Sequence, residues 1–182
     1  VIIAPDVSDE AKEIFKSKNN LRVLTLSSLS TKNNSYNYKS IEGGILVQSN
    51  DEANTTKSDL KVVTEKKPSD GEIEDMLFAF KVCKHVKSNA IIYVKNKKTI
   101  GIGAGQMSRV DSAKIASQKN REMEKSEENS LENSVVASDA FFPFADGLLV
   151  TISSGAKAVI QPGGSVKDDE VIEAANKAGI SM

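Results

Sequence analysis

Residues 80–109 read FKVCKHVKSNAIIYVKNKKTIGIGAGQMSR, and this stretch decides how the chain folds. Asn89 opens the apolar run AIIYV, which predicts a buried strand, and the glycine-rich run GIGAG closes a second one. Arg109 follows the glycines at the start of a predicted helix. Polar groups of several chemical types therefore surround one strand and one turn, a pattern that indicates the rim of a ligand pocket.

The composition is that of a globular protein. Of the 182 residues, 39% are hydrophobic and 27% are charged, which is enough for one core or two small ones, and one compact domain is expected. The net charge of -1 gives no reason to expect a nucleic-acid partner or an anionic membrane surface, and no apolar run approaches the roughly 20 residues that span a bilayer. A single cysteine excludes an internal disulfide, and the start of the sequence carries no signal segment, so the cytoplasm is the predicted compartment.

Alternating strand and helix patterns predict the architecture. Helices are indicated by caps and by apolar residues at helical spacing, and strands by short apolar runs. The predicted strands are VIIA, LRVLTL, a buried GGILVQS, LKVVT, AIIYV, VVAS and AKAVIQP, whereas residues 27–38 are predicted to be a loop. Five helices are predicted. Two begin after Ser8 and after Ser69, and the other three are Met107 to about Lys125, a short one that contains Leu148 to Ile152, and residues 168–178. This alternation predicts a layered α/β/α domain with a mixed, largely buried sheet.

The run GIGAGQ, residues 101–106, has two interpretations. It matches half of a dinucleotide-binding fingerprint, but the third glycine of that motif is missing and no acidic residue ends a second strand about twenty residues later. A tight turn that needs glycine for its backbone angles explains the run better. A helix that begins at Gln106 or Met107 would still direct free N–H groups, with Arg109 on its first turn, toward an anion.

Lys84 and His85 form the most conspicuous pair of candidate catalytic side chains, since a histidine beside a lysine suits acid–base chemistry. The alternative is structural, because the preceding helix is expected to end here and both cations would stabilise its C-terminus. The structural role is favoured. Cys83 lies on the apolar face of the same helix and is predicted to be a buried packing residue, not a nucleophile.

Asn89, Asp139 and Asp146 are better candidates for ligand recognition. A carboxamide between a helix end and a buried strand must find hydrogen-bond partners, so Asn89 either ties the backbone or contacts a ligand. Asp139 and Asp146 flank the run AFFPF, and a carboxylate beside aromatic walls suits a planar heterocycle with adjacent N–H donors. For Asp146, capping of the next helix is an equally good interpretation.

Three motifs, taken in this order, resemble one family closely: KSNAI at 87–91, GIGAGQMSR at 101–109 and ASDAFFPF at 137–144. They resemble the AICAR transformylase domain of the bifunctional purine-biosynthesis enzymes that pair this activity with IMP cyclohydrolase. Weaker similarity extends over almost the whole chain, so residues 1–182 look like the C-terminal portion of that domain. The resemblance implies a cytidine-deaminase-like subdomain and formyl transfer from 10-formyltetrahydrofolate to AICAR in the pathway to IMP.

The resemblance also implies roles for individual residues. Asn89 would be the catalytic residue of the set and would contact the reacting amine and carboxamide region of AICAR. Arg109 would bind the nucleotide or its carboxamide. Phe141 and Pro143 would form the walls of the heterocycle pockets, and Asp146 would hydrogen-bond the pterin of the folate.

Two further implications concern a cation and a partner. A monovalent cation, expected to be potassium in this family, would lie near Val86, Ser88 and Asp139. Members of the family build their site across a homodimer, so these residues would complete the pocket of a second copy.

The sequence departs from the family pattern in three places. The catalytic lysine–histidine pair of the family lies upstream in a different sequence context, so Lys84 and His85 are not its counterpart. A late histidine is expected just beyond Met182, and Ala145 stands where family members usually carry arginine. The chain is therefore expected to be a fragment with little or no turnover of its own.

Two other classes of function stay open. A non-catalytic nucleotide- or folate-binding module would need no lysine–histidine pair and could be complete as it stands. A purely structural or dimerising piece is the other class. In that case replacing Asn89 by alanine should change stability but no ligand property.

Overall fold

The chain forms two compact units in a computed structural model that describes residues 1–26, 36–123 and 130–182. The first unit is Val1–Glu52 and the second is Ala53–Met182. The composition predicts one compact domain, whereas the described chain divides into these two units. The reason lies in where burial occurs, because every core residue of the described chain belongs to the second unit.

The first unit begins with the predicted strand–helix–strand order. Strand β1 (Ile2–Ala4) pairs in parallel with β2 (Val23–Thr25), and helix α1 (Asp9–Lys16) connects them. Ser8 caps the helix, since its Oγ accepts a hydrogen bond from the backbone N–H of Ala11 at 3.2 Å. These elements confirm the predictions made from the caps and the apolar spacing.

A β-hairpin completes the first unit. Strand β3 (Tyr36–Ile41) pairs antiparallel with β4 (Gly44–Ser49). The prediction of a buried GGILVQS strand is half wrong, because the strand exists but all of its residues are exposed. The predicted loop at 27–38 is contradicted at Tyr36 to Tyr38, which begin β3, and its residues 27–35 lie outside the described part of the chain. An apolar run predicts a strand without saying what covers it.

The second unit is built on a four-stranded mixed sheet, as predicted. Its strands are β5 (Ile91–Lys95), β6 (Lys98–Gly103), β7 (Ser134–Ser138) and β8 (Ala156–Ile160). Their order in the sheet is β6-β5-β7-β8. Strand β5 runs antiparallel to both of its neighbours, whereas β7 and β8 run parallel. A parallel pair needs a crossover connection, and α4 (Ala145–Ser153) provides it.

Helices cover both faces of this sheet, which confirms the α/β/α layers. Helix α2 (Asp70–Cys83) packs on one face, against a cluster that contains Ile92 and Val94. Ile91 and Tyr93 point to the other face, because side chains alternate along a strand. The helices on that second face are α3 (Arg109–Met123), α4, and α5 (Asp168–Lys177).

Local signals in the sequence fix the start of α2. The predicted capping box is present: Ser69 Oγ accepts from the Glu72 N–H at 3.3 Å, and the Glu72 carboxylate accepts from the Ser69 N–H at 2.6 Å. Burial alone would raise the pKa of Glu72, but these hydrogen bonds and the charges of Lys157 and Lys66 lower it below its usual value. The carboxylate therefore stays ionised inside a half-covered helix end.

One predicted strand of the second unit does not form. The run LKVVT, residues 60–64, follows a short 3-10 helix (Lys57–Asp59) and belongs to none of the described strands. Its Val63 N–H donates instead to the carbonyl oxygen of Met182 at 3.0 Å. Periodicity does not reveal such a tertiary contact.

The glycines of β6 allow α3 to lie almost against the sheet. A methyl group at Gly103 would lie 1.8 Å from the carbonyl oxygen of Ser112, and one at Gly101 would lie 2.8 Å from that of Ala116. Ala113 and Ala116 on the facing side of the helix are fully buried. This confirms the prediction that small residues permit close packing, and it assigns two of the three glycines a role in packing rather than in binding a pyrophosphate.

The strand directions bring the conspicuous polar segments to one end of the sheet. Residue Ile91 at the start of β5 lies opposite Gly103 at the end of β6 and opposite Ser138 at the end of β7. The residues just before β5, just after β6 and just after β7 therefore meet at the same end of the sheet. These segments contain Asn89, the glycine turn and Asp139.

Candidate functional site

Asn89 is held by hydrogen bonds to the glycine turn and to helix α3. Its side-chain Nδ2 donates to the carbonyl oxygen of Gln106 at 2.9 Å, and its backbone carbonyl accepts from Ser112 Oγ at 2.7 Å. A backbone carbonyl can only accept, so the amide nitrogen must face Gln106 and the carboxamide oxygen must face away from it. The two alternatives left open for Asn89 are thus compatible, because the side chain ties the backbone and still presents an oxygen.

The glycine turn supplies the geometry that Asn89 needs. Gly105 has a φ of 68°, a left-handed conformation that glycine adopts without strain. Its N–H donates to the carbonyl oxygen of Lys87 at 2.8 Å, which joins the turn to the segment before β5. The interpretation as a tight turn fits this geometry better than a dinucleotide fingerprint does.

Helix α3 begins at Arg109, two residues after the predicted start at Met107, because Ser108 is its cap. Ser108 Oγ accepts from the N–H of Asp111 at 3.1 Å. The predicted position of Arg109 on the first turn is confirmed. The expected end near Lys125 lies outside the described residues, since the description of the helix stops at Met123.

The guanidinium of Arg109 reaches across to the end of β7. Its Nε donates to Ser138 Oγ at 3.0 Å, and its Nη2 lies 3.4 Å from Asp139 Oδ1. The two charged side chains are 13% and 15% exposed, so this ion pair is well shielded from water. An arginine has five N–H donors. These two bonds leave the other three N–H groups able to contact an acceptor.

Asp139 connects three segments of the sheet edge. Its Oδ1 accepts from the backbone N–H of Ala90 at 2.9 Å as well as from Arg109, and its Oδ2 accepts a short hydrogen bond from Ser88 Oγ. The N–H of Asp139 in turn donates to the carbonyl oxygen of Ala90 at 3.3 Å. A carboxylate so placed fixes the start of β5 against the end of β7.

The run AFFPF places its three phenylalanines differently. Phe142 is fully buried in the core, and its N–H donates to Gln161 Oε1 at 2.7 Å. Phe141 and Phe144 are 38% and 57% exposed, and Pro143 is exposed as well. The predicted wall residues Phe141 and Pro143 are therefore on the surface, available to a ligand, while Phe142 holds the segment in place.

Asp146 lies in the first turn of α4, but the prediction that it caps this helix is wrong, because Phe144 is the N-cap and its side chain makes no capping hydrogen bond. Asp146 Oδ1 accepts from the N–H of Gly147 at 2.7 Å, and its side chain is exposed. A negative charge is favourable at this end of a helix. Gly147 beside it lies close to Arg109, because a methyl group there would be 3.5 Å from Arg109 Cβ. The α4 N-terminus thus borders the arginine.

Helix α2 ends where the structural interpretation of Lys84 and His85 placed its end. Lys84 is the C-terminal cap, with its Nζ donating to the carbonyl oxygen of Ala53 at 2.9 Å, and His85 is exposed. Cys83 is buried, and burial, together with the negative charge of Asp139, raises the pKa of its thiol to about 12. The prediction that Cys83 is a buried packing residue is confirmed, and its raised pKa agrees with the prediction that it is not a nucleophile.

Two contacts of the site were missed by the sequence argument. Ser112 and Ser138 hold Asn89 and Arg109, and both serines are fully buried. A serine that interrupts an apolar face is the signal that could have found them, since a buried hydroxyl must have a partner.

A cavity of about 650 Å³ lies elsewhere in the second unit. Its walls come from residues 55–63, from α2 and from the segment after β8. None of the predicted site residues lines it, so the predicted site and this cavity are separate features.

Among residues 1–26, 36–123 and 130–182, no group of three or more histidine, cysteine, aspartate or glutamate side chains is placed to hold a metal ion. Within the same ranges, no helix is long and apolar enough to cross a membrane. The cluster of Asn89, Arg109 and Phe141 offers a carboxamide oxygen, arginine N–H groups and exposed aromatic surface. These groups suit an organic ligand that carries both polar groups and planar rings.

The fold and this cluster define a layered α/β protein with a polar site at one end of a mixed sheet. A family model described as the AICARFT/IMPCHase bienzyme matches residues 1–119, and the chain belongs to that family. Relatives named bifunctional purine biosynthesis protein PurH are 56% identical in Rhodospirillum rubrum, 56% in Parvibaculum lavamentivorans and 54% in Agrobacterium fabrum. Each match includes the whole of this chain but only 35% of the relative, so the chain spans about a third of their length.

Proposed function

We propose that this chain supplies ligand-binding residues for the transfer of a formyl group from 10-formyltetrahydrofolate to AICAR, which gives FAICAR in purine biosynthesis. The observation that carries the proposal is the fixed position of Asn89 and Arg109 at one edge of the sheet. In the reaction the amine nitrogen of AICAR forms a bond to the formyl carbon, the bond from that carbon to N10 of the folate breaks, and the amine proton is transferred so that tetrahydrofolate leaves neutral.

The contacts within the chain support a role for each predicted residue. The Asn89 oxygen faces away from Gln106 and would accept a hydrogen bond from the reacting amine, which orients its lone pair toward the formyl carbon. Arg109 has N–H groups left for the carboxamide or the phosphate of AICAR. The exposed Phe141 and Pro143 would form the wall for a planar ring, and Asp146 would accept from the pterin N–H groups.

A larger assembly is part of the same proposal. Residues 1–182 would be the C-terminal portion of the transformylase domain, of the cytidine-deaminase-like type, and IMP cyclohydrolase activity would belong to another part of the protein. The family's upstream lysine–histidine motif is not found in this sequence, so the chain alone is expected to show little turnover. The complete site would form in a cytoplasmic homodimer.

Potassium would bind at the oxygen-rich end of the network. Ser88 Oγ and Asp139 Oδ2 lie side by side in a hydrogen bond, and Val86 lies in the turn just before them. Hydroxyl, carboxylate and carbonyl oxygens are ligands that suit a hard cation. Ser88 and Asp139 would hold such an ion through their side-chain oxygens. Its contribution would be structural, through the ordering of the segment before β5.

The test is a chimera in which this chain replaces the matching segment of the Rhodospirillum rubrum relative. Folate-dependent formylation of AICAR should match that of the unmodified relative, and Asn89→Ala should lower kcat/KM by about 100-fold, as loss of a directed hydrogen bond does in other enzymes. Asn19→Ala, at an exposed turn of the first unit, is the matched control and should leave activity unchanged. A folded chimera without activity, or an Asn89 variant as active as the control, would overturn the proposal.

The second candidate is a binding module that needs no catalytic pair. The observation in its favour is that the chain by itself fixes both Asn89 and Arg109 with its own contacts. Calorimetric titration of the 182-residue chain with AICAR and with a folate analogue separates the two functions. Tight binding by a stable monomer favours the module, whereas weak binding that strengthens in the chimera favours a portion of the enzyme.

A further inference from the structure

We propose that Ser138 is a positioning residue that fixes the guanidinium plane of Arg109 for ligand recognition. This inference rests on the proposed function, because it assigns the support of a residue that the function uses. Ser138 is the last residue of β7 and is fully buried. Ser138 is therefore part of the buried sheet, whereas Arg109 is the first residue of helix α3.

The direction of the hydrogen bonds at Ser138 is fixed by its partners. Its hydroxyl donates to the carbonyl oxygen of Ala140 at 2.7 Å and accepts from Arg109 Nε at 3.0 Å. A serine hydroxyl has one proton, and the carbonyl takes it, so a lone pair must face the arginine. Without the hydroxyl, both the Arg109 Nε–H and the Ala140 carbonyl would lose a partner.

Two contacts at different nitrogens determine the orientation of a planar group. Ser138 holds Nε and Asp139 holds Nη2. With two of its nitrogens held, the guanidinium plane cannot rotate. Gly147 of α4 lies close to the base of this side chain, because a methyl group there would be 3.5 Å from Arg109 Cβ. Recognition of a carboxamide or phosphate by two parallel N–H groups requires such a fixed plane, because each bond depends on its angle.

The sheet itself provides a matched control. Ser134 lies at the opposite end of β7 and is also fully buried, but its hydroxyl has no hydrogen-bond partner among the described residues. Ser134→Ala and Ser138→Ala remove the same group from the same strand at the same burial. They differ in the partners of the group, because the Ser138 hydroxyl contacts Arg109 and the Ala140 carbonyl and the Ser134 hydroxyl contacts neither.

The first experiment observes the arginine directly in the 182-residue chain. The sequence has three arginines, so a nitrogen-15 spectrum of the Nε–H groups should show few signals, and Arg109→Lys assigns the one of interest. Arg22 and Arg121 are exposed, which makes them internal references for fast exchange with water. We expect the Arg109 Nε–H of Ser138→Ala to exchange with water about tenfold faster than that of the unmodified chain, and that of Ser134→Ala to be unchanged. Equal exchange in the two serine variants would overturn the inference.

The second experiment measures the consequence for the substrate in the active chimera. Ser138→Ala should raise KM for AICAR about tenfold with a smaller effect on kcat, and Ser138→Thr, which keeps the hydroxyl, should restore it. If Arg109→Lys lowers activity but Ser138→Ala leaves KM unchanged, the positioning role is wrong and the proposed function stands. If Arg109→Lys itself has no effect, the role of Arg109 in the proposed function fails instead.

Discussion

Cys83 shows how closely the sheet edge constrains single residues. It is 2% exposed, and its Sγ lies 3.5 Å from the carbonyl oxygen of Ala137, next to the residues that hold Arg109. Burial and the charge of Asp139 raise the pKa of the thiol to about 12, although Arg109 acts in the opposite direction. At neutral pH the sulfur is therefore a protonated packing group.

Alkylation measures this state. In the folded chain, iodoacetamide should modify Cys83 at pH 8 about 1,000-fold more slowly than in guanidinium, because the thiolate fraction falls about tenfold for each unit by which the pKa exceeds its ordinary value of 9.0. The rate in the folded chain should also keep rising with pH above 9, where the rate in the unfolded chain levels off. A plateau near pH 9 in the folded chain would show that the thiol has an ordinary pKa.

The positions of Asn89 and Arg109 beside the strand and the turn could be predicted from the sequence more readily than their contacts. Asn89 and Arg109 are polar groups at the ends of apolar runs, which is a local pattern. Their partners Ser112 and Ser138 are 23 and 29 residues away from them, respectively. Nothing in periodicity or spacing specifies such pairs, because they depend on the order of the strands.

The elements of the second unit depend on the contact between β6 and α3. Predictions of elements succeeded where caps and periodic spacing coincide, as in α2, and failed for the run at 60–64, where the Val63 N–H bonds to the distant carbonyl of Met182. The hairpin β3–β4 shows the other limit: the predicted strand β4 formed but is exposed, not buried, and β3 begins inside the predicted loop. Local sequence patterns therefore predicted whether a helix or a strand forms better than they predicted whether it is buried.

Gly103→Ala tests the contact between β6 and α3. The added methyl group would overlap the carbonyl of Ser112, which belongs to the helix backbone and cannot rotate away, so the free energy of unfolding should fall by about 3 kcal/mol or more. Gly71→Ala in the first turn of α2 is the control, because no atom lies within 4 Å of the new group. Its stability should be unchanged or higher by up to about 1 kcal/mol. Urea unfolding followed by circular dichroism measures both, and equal stabilities would contradict the packing described.

The two units differ in how much of their surface they bury. No residue of the first unit is buried within 1–26 and 36–52, and most of its large apolar side chains are exposed, whereas the second unit has a core on both faces of its sheet. A two-stranded pairing without a covered face is marginally stable in water.

Hydrogen exchange should separate the units. Amides of β1 to β4 are expected to exchange with rates close to those of an unstructured chain, while those of β5 and β7 are protected by at least about 1,000-fold, which corresponds to opening free energies above roughly 4 kcal/mol. Mass spectrometry of peptic peptides gives the comparison. Equal protection of β4 and β7 would mean that the first unit is covered in solution.

The antiparallel placement of β5 against β7 has a consequence for the order of events during folding. The groups that meet at the sheet edge come from positions 88 to 139, and they meet only after β7 has paired with β5 across a long intervening segment. Bringing β7 to β5 closes that segment into a loop, which costs chain entropy. The stabilising contacts at the end of the sheet form only afterwards. A truncated or nascent chain that lacks β7 would contain Asn89, the glycine turn and Arg109 and still have no site. The recovery of ligand affinity during refolding would therefore measure when β7 pairs with β5.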